Sequence, residues 1–316
     1  MERLRSIAVI AFLSFAAPAL AQDPPPPADD PPSVVRTLPQ DDRMTIPIHI
    51  GGKGPWNFII DTGSQRTVLS RDLAERLVLP TLEMVTVIGM AGKAQTRTVA
   101  VPQLRYGSVT VDGIEAPVLE AAHLGAPGLL GLDSLHARRL LIDFRAGRME
   151  ISNSRRTLRD PNAIIVEARR RKGQLILLHS DVNGTKVNII LDTGTHLSVG
   201  NLALMNKLSQ RKRAPTLAPV TLLSVTGEVL SGLLGHLQQI RMGPILLRNL
   251  RVMFADAPPF AELGLQDKPS LLLGMDALQS FDRIAIDFGR GKVDFLMHGD
   301  SALDHQQLAA KLPAAG

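Results

Sequence analysis

FIIDTGS at residues 58–64 and IILDTGT at residues 189–195 place the same apolar run, the same acid and the same Thr-Gly twice in one chain of 316 residues. A carboxylate at the end of a strand-like apolar run is costly to bury unless something pairs with it or hydrogen-bonds it. Two such carboxylates, delivered by equivalent stretches about half the chain apart, are expected to be partners. One Asp-Thr-Gly arises by chance at roughly one position in several thousand. Here each copy follows Ile-Ile or Ile-Leu, precedes a hydroxyl residue and is in register with a second repeated element downstream.

Working outward, MTIPIHIGGKGPWNFIIDTGS (44–64) alternates apolar and polar residues, turns at Gly51 to Pro55 and re-enters an apolar strand. LILLHSDVNGTKVNIILDTGT (175–195) does the same around Asn183-Gly184, a strong hairpin signal. Further on, GLLGLDSLHARRLLIDFRAGRMEI (128–151) matches LLLGMDALQSFDRIAIDFGRGKVDFL (271–296). Asp61 precedes Gly131 by 70 residues and Asp192 precedes Gly274 by 82, so the copies differ by an insertion and not in order. The stretches between read as β-hairpins. Helix is expected only over SRDLAERL (70–77), NLALMNKL (201–208) and the segments after Gly131 and Gly274.

The chain thus resembles the aspartic peptidases, and within them the retroviral-like type of bacterial envelopes, over nearly all of residues 43–298. The resemblance rests on Asp61-Thr62-Gly63-Ser64, Asp192-Thr193-Gly194-Thr195, Leu129-Leu130-Gly131 and Leu272-Leu273-Gly274. It implies a mainly β fold of two retropepsin-like β-barrel lobes about a pseudo-twofold axis, with both acids on the floor of a cleft. It also implies that Thr62 and Thr193 cross-bond beneath the acids and that each apolar-Gly segment threads behind its own acid loop. Peptide hydrolysis by Asp61 and Asp192 on a protein or peptide substrate follows, with no cofactor and no metal. Flaps over the substrate are expected at Val87-Ile88-Gly89-Met90-Ala91-Gly92 and Leu223-Ser224-Val225-Thr226-Gly227-Glu228. A hydroxyl donated to the outer oxygen of each acid, from Ser64 and Thr195, would favour the charged form and an acidic optimum. Both halves lie in one chain, so a monomer with an internal pseudo-dimer is expected.

Composition narrows the remaining classes. MERLR, a short apolar stretch and Ala19-Leu20-Ala21 read as a leader over residues 1–21, implying an exported, periplasmic or secreted protein with no integral membrane segment after its removal. That removal lowers the formal charge of +5 to +4. The basic clusters at 169–172 and 211–213 have almost no aromatic residues nearby, and with one Trp and one Tyr the chain is not expected to bind nucleic acid. The absence of cysteine excludes disulfides, thiolate ligands and a thiol nucleophile. The Pro-rich acidic stretch 22–42 reads as a linker, 43–153 and 164–298 as lobes, 154–163 as a polar connector and 299–316 as a tail.

Other residues carry weaker signals. His196 follows the second motif but has no ligand set around it. Asp133 and Asp276 read as helix N-caps, Asp143 and Asp287 as structural, and GGKGPW (51–56) as a turn. Two rival functions stay open: a catalytically silent peptide-binding protein of the same fold, and a metal-dependent hydrolase using the paired acids as ligands.

Overall fold

The computed structural model describes residues 33–36, 38–40, 43–154, 162–210 and 216–297. The leader, the tail and most of both the linker and the connector therefore lie outside the described residues.

The first half begins as its alternation predicts. Strand Arg43–Ile50 pairs antiparallel with Lys53–Ile60, Ile46 opposite Phe58, across a turn in which Gly51 and Gly52 take φ of 55° and 77°. Lys53–Ile60 then runs parallel to Gly128–Leu130, which pairs with Val68–Ser70. Beyond lie Val109–Leu119, Lys93–Tyr106 and Thr81–Ile88. The long strand Lys93–Tyr106 returns to Arg43–Ile50, Ile50 opposite Leu104, and closes the barrel. Closure removes the exposed strand edge and shuts Ile46, Ile48, Ile50, Phe58 and Ile60 in a dry interior.

The second half repeats the pattern. Gln174–Leu177, Asn188–Leu191, Ser270–Leu273, Val199–Gly200, Ile245–Phe254 and Val229–Met242 follow in order, and Ser180–Val182 closes onto Val229–Met242. Asn183 and Gly184, at φ of 48° and 75°, make the tight turn their sequence predicts. The protein is mainly β, with two retropepsin-like lobes.

Four helices fall where expected: Arg71–Arg76, Leu202–Ser209, Leu132–Leu135 and Met275–Leu278. Ser70 caps the first by accepting from the Leu73 amide, and Asn201 caps the second by accepting from that of Leu204. Asn201 does more than its counterpart. Its amide nitrogen also donates to the carbonyls of Leu265, Gln266 and Lys268 at 2.9, 3.2 and 2.7 Å, in a loop longer than the equivalent one in the first half. Two further short helices, Ala121–Leu124 and Pro258–Glu262, were not expected from the sequence.

A shared sheet joins the lobes beneath the barrels. Arg138–Asp143 pairs antiparallel with Phe281–Asp287, and the register sets Arg139 opposite Asp287, Leu141 opposite Ala285 and Asp143 opposite Arg283. The rungs are reciprocal about Leu141 and Ala285, which marks the pseudo-twofold axis. One end of this sheet amends the linker expectation. Ser33–Arg36 pairs with Arg148–Asn153, and Leu38–Gln40 pairs with Arg43–Ile50. The second half does the same with Ile164–Arg171, shifted by the interval that separates Asp61 from Asp192. The prolines that suggested a tether cluster before Ser33, and Ser33-Val34-Val35-Arg36 has the β-branched pair a strand favours. Removing residues 33–40 as well as 1–32 should therefore lower Tm by about 3 °C or more relative to a chain starting at Ser33. Calorimetry of the two chains checks this, and equal melting would show that these strands add nothing.

Candidate active site

Each Asp-Thr-Gly loop leaves the end of a buried strand at the lobe interface. The loops are held by two threonines. The Thr62 hydroxyl donates to the Leu191 carbonyl at 2.9 Å and accepts from the Thr193 amide at 3.1 Å. The Thr193 hydroxyl donates to the Ile60 carbonyl at 2.7 Å and accepts from the Thr62 amide at 3.1 Å. Both side chains are buried, so these four groups have no competing water.

The glycines are required by proximity. Neither takes a positive φ. A Cβ on Gly63 would stand 2.6 Å from the Asp192 carboxyl, and one on Gly194 would stand 2.3 Å from that of Asp61. Each glycine is thus the gap into which the opposite acid fits. The amides of Gly63 and Ser64 donate to Asp61 Oδ1 at 2.8 and 2.9 Å, and that of Gly194 donates to Asp192 Oδ1 at 2.9 Å. The two carboxyls are close enough that each influences the ionisation of the other.

Behind each loop the apolar-Gly segment sits as expected. The Asp61 and Asp192 amides donate to the carbonyls of Leu130 and Leu273, both at 3.0 Å. A Cβ on Gly131 would meet the Arg66 backbone at 2.3 Å, and one on Gly274 the Leu197 backbone at 3.0 Å. Asp133 and Asp276 need correction. The helix N-caps are Gly131 and Gly274, and the two acids instead clamp the loops. Asp133 accepts from the Thr67 hydroxyl at 2.7 Å, and Asp276 accepts from that of Ser198 at 2.7 Å. The same hydroxyls accept from the Gly131 and Gly274 amides. Thr67 and Ser198 each stand six residues past their Asp, a spacing with no motif to announce it.

The expected role of the hydroxyls beside the acids is also corrected. The Ser64 hydroxyl donates to the Arg66 carbonyl at 2.7 Å, and the buried Thr195 hydroxyl has no partner. Neither supports an acidic optimum. Burial, with the Asp61 charge adding to it, instead pushes the Asp192 carboxyl up to about 8. Burial raises Asp61 as well, opposed by the amides of Gly63 and Ser64, by Asp192 and by the Arg43 charge. Asp192 is therefore the member of the pair that keeps its proton into neutral pH.

Both candidate flaps are hairpin tips. The Gly89 amide donates to the Gly92 carbonyl, and Ser224 to Glu228. The tips cross. A Cβ on Gly89 would strike the hydroxyls of Ser224 and Thr226, Gly92 lies beside Glu228, and Gly227, at φ 93°, lies against His123 of the other lobe. Met90 packs on a second-lobe cluster that includes Ile176 and Leu263, while Val225 packs on a first-lobe cluster that includes Val68 and Leu124. Met90 and Val225, both in the expected flaps, each reach across the axis. Beneath the first hairpin, Val85 to Ile88 face Gly63 to Arg66, Gln174 and Leu263 across the cleft. His196 is exposed and Tyr106 is buried, donating to the Ser134 carbonyl. Among the described residues no group of three or more His, Asp or Glu is placed to hold a metal, and no helix is long and apolar enough to cross a membrane.

Two barrels, a symmetric floor and a closely placed carboxyl pair under crossed hairpins define the architecture of an aspartic peptidase. A family model described as Aspartyl protease matches residues 46–134 and 178–277, one match in each half, and the chain belongs to this retropepsin-like family. Comparison with curated proteins finds no match.

Two outcomes follow. Thr193→Val should cost about 2–4 kcal/mol, because it strands the Thr62 amide and the Ile60 carbonyl in a dry floor; denaturant unfolding measures it. Asp192, raised in the folded state and ordinary when unfolded, binds a proton on folding between about pH 4 and 8. Its contribution to stability is complete at acid pH and is lost as pH rises toward 8. Asp192→Asn should flatten that slope in urea titrations from pH 5 to 8.

Proposed function

We propose that the chain is an aspartic endopeptidase that hydrolyses peptide bonds with a water activated between Asp61 and Asp192. The observation that carries this reading is the pair of buried carboxyls, each held by its own loop amides and packed against the glycine of the opposite loop. Asp61 is the more open to the cleft and the more stabilised as an anion, and it takes a proton from the water. Asp192, protonated at neutral pH, donates its proton to the carbonyl oxygen of the scissile bond. Attack gives a tetrahedral diol with no covalent enzyme intermediate. Proton return to the amide nitrogen and rupture of the C–N bond then release an amine and a carboxylic acid.

The apolar wall formed by Val85, Val87, Pro117 and Leu263 supports substrates with apolar side chains beside the scissile bond. The leader-like start supports export, with substrates among proteins or peptides of the cell envelope. Continuity of both halves in one chain supports a monomer as the working unit.

The test is cleavage of a mixed peptide library by the purified chain from pH 3 to 10, beside Asp61→Asn and Asp192→Asn. Cleavage should vanish in both variants and resist chelators. Its alkaline limb should fall near pH 8 and its acid limb should lie above the ordinary carboxylate range. Binding without cleavage at every pH would replace this reading with the silent, peptide-binding one.

A further inference from the structure

The two halves match closely at the floor of the cleft, so a place where they differ in charge needs a reason. Arg43 and Gln174 are such a pair. Each opens the first barrel strand of its lobe, in the same register: Arg43 stands opposite Gln40, and Gln174 opposite Arg171. Gln174 reaches over to the first Asp loop, where its side-chain amide donates to the Gly63 carbonyl. By the pseudo-twofold relation Arg43 corresponds to Gln174, as Gly194 corresponds to Gly63, and Gly194 is the residue against which the Asp61 carboxyl packs. The guanidinium is held there by donation to the Leu124 carbonyl at 3.1 Å. A positive charge thus stands at the register position on the Asp61 side where the Asp192 side has a neutral amide.

We propose that Arg43 is a positioning residue that makes the two aspartates inequivalent, holding the negative charge of the pair on Asp61 and leaving the proton on Asp192. The inference rests on the reading of these two acids as the catalytic pair, and it assigns their separate roles. A symmetric pair could exchange roles, but a cation on one side fixes which oxygen abstracts and which donates. The other charged and titratable groups around the cleft do not supply this bias. Arg66 is drawn to Glu115 at 3.7 Å, Glu262 lies 4.0 Å from Lys172, and His196 is exposed. Glu228 belongs to a crossed hairpin tip, and His123, in the helix Ala121–Leu124, faces Gly227 of that tip. Arg43 is the cation whose field lowers Asp61, and Asp192 has no counterpart among the main influences on it.

The test reads each acid alone, by carbon NMR of carboxyl-labelled aspartate in the full chain, and so does not require turnover. In Asp192→Asn, adding Arg43→Gln should raise the Asp61 midpoint by roughly half a pH unit or more, while adding Arg43→Lys should leave it near the parent value. In Asp61→Asn, Arg43→Gln should move Asp192 less, and Gln174→Arg should lower it. An Asp61 midpoint unmoved by Arg43→Gln, or equal shifts at both acids, would overturn the proposal. If Arg43→Gln perturbs folding, the Gln174→Arg arm still decides: no fall in the Asp192 midpoint overturns it. A chain that cleaves no peptide would remove the proposed function while leaving these titrations legible.

Discussion

Beneath the two acids, a pair of threonine hydroxyls each gives its one proton to a carbonyl of the opposite half and accepts from an amide of that half. Four backbone groups in a water-free floor are satisfied this way, and neither half can satisfy its own. Folding of the floor and docking of the lobes are therefore one event. The rest of the site inherits its dimensions from this exchange. It brings the loops close enough that each glycine must lack a side chain, and close enough that the ionisation of one carboxyl bears on the other.

Rigidity is supplied from behind. Parallel pairing of Lys53–Ile60 with Gly128–Leu130, and of Asn188–Leu191 with Ser270–Leu273, fixes where each loop starts. The Thr67–Asp133 and Ser198–Asp276 clamps then fix where it ends. The hairpins above are arranged differently. Met90 and Val225 sit in one another's territory, so the roof is tied across the axis by apolar contact where the floor is tied by hydrogen bonds.

Much of this was legible in the residues. Repetition of Asp-Thr-Gly with its apolar run and downstream Leu-Gly disclosed the duplicated architecture and the acids, and period-two alternation with Gly turns disclosed the hairpins. What escaped depends on long-range geometry. Ser33–Arg36 carries no motif and gains its meaning only from the strand at 148–153. Asp133 looked like a cap because it opens a helix, yet its partner is 66 residues away. The hydroxyl of Ser64 was expected at the acid but turns to the Arg66 carbonyl, a choice between two nearby acceptors that composition cannot make. Arg43 left a faint trace, since aligning the repeats already sets it against Gln174.

The Asn201 amide, bracing three carbonyls of a loop that the first half keeps short, shows what duplication within one chain permits. In an assembly of two identical chains every substitution appears twice, once on each side of the axis, and must suit both. A single chain escapes that constraint. Asn201 could take on a longer loop while Ser70 stayed a simple cap, so each half is free to drift toward its own task while the symmetric floor holds the pair in step.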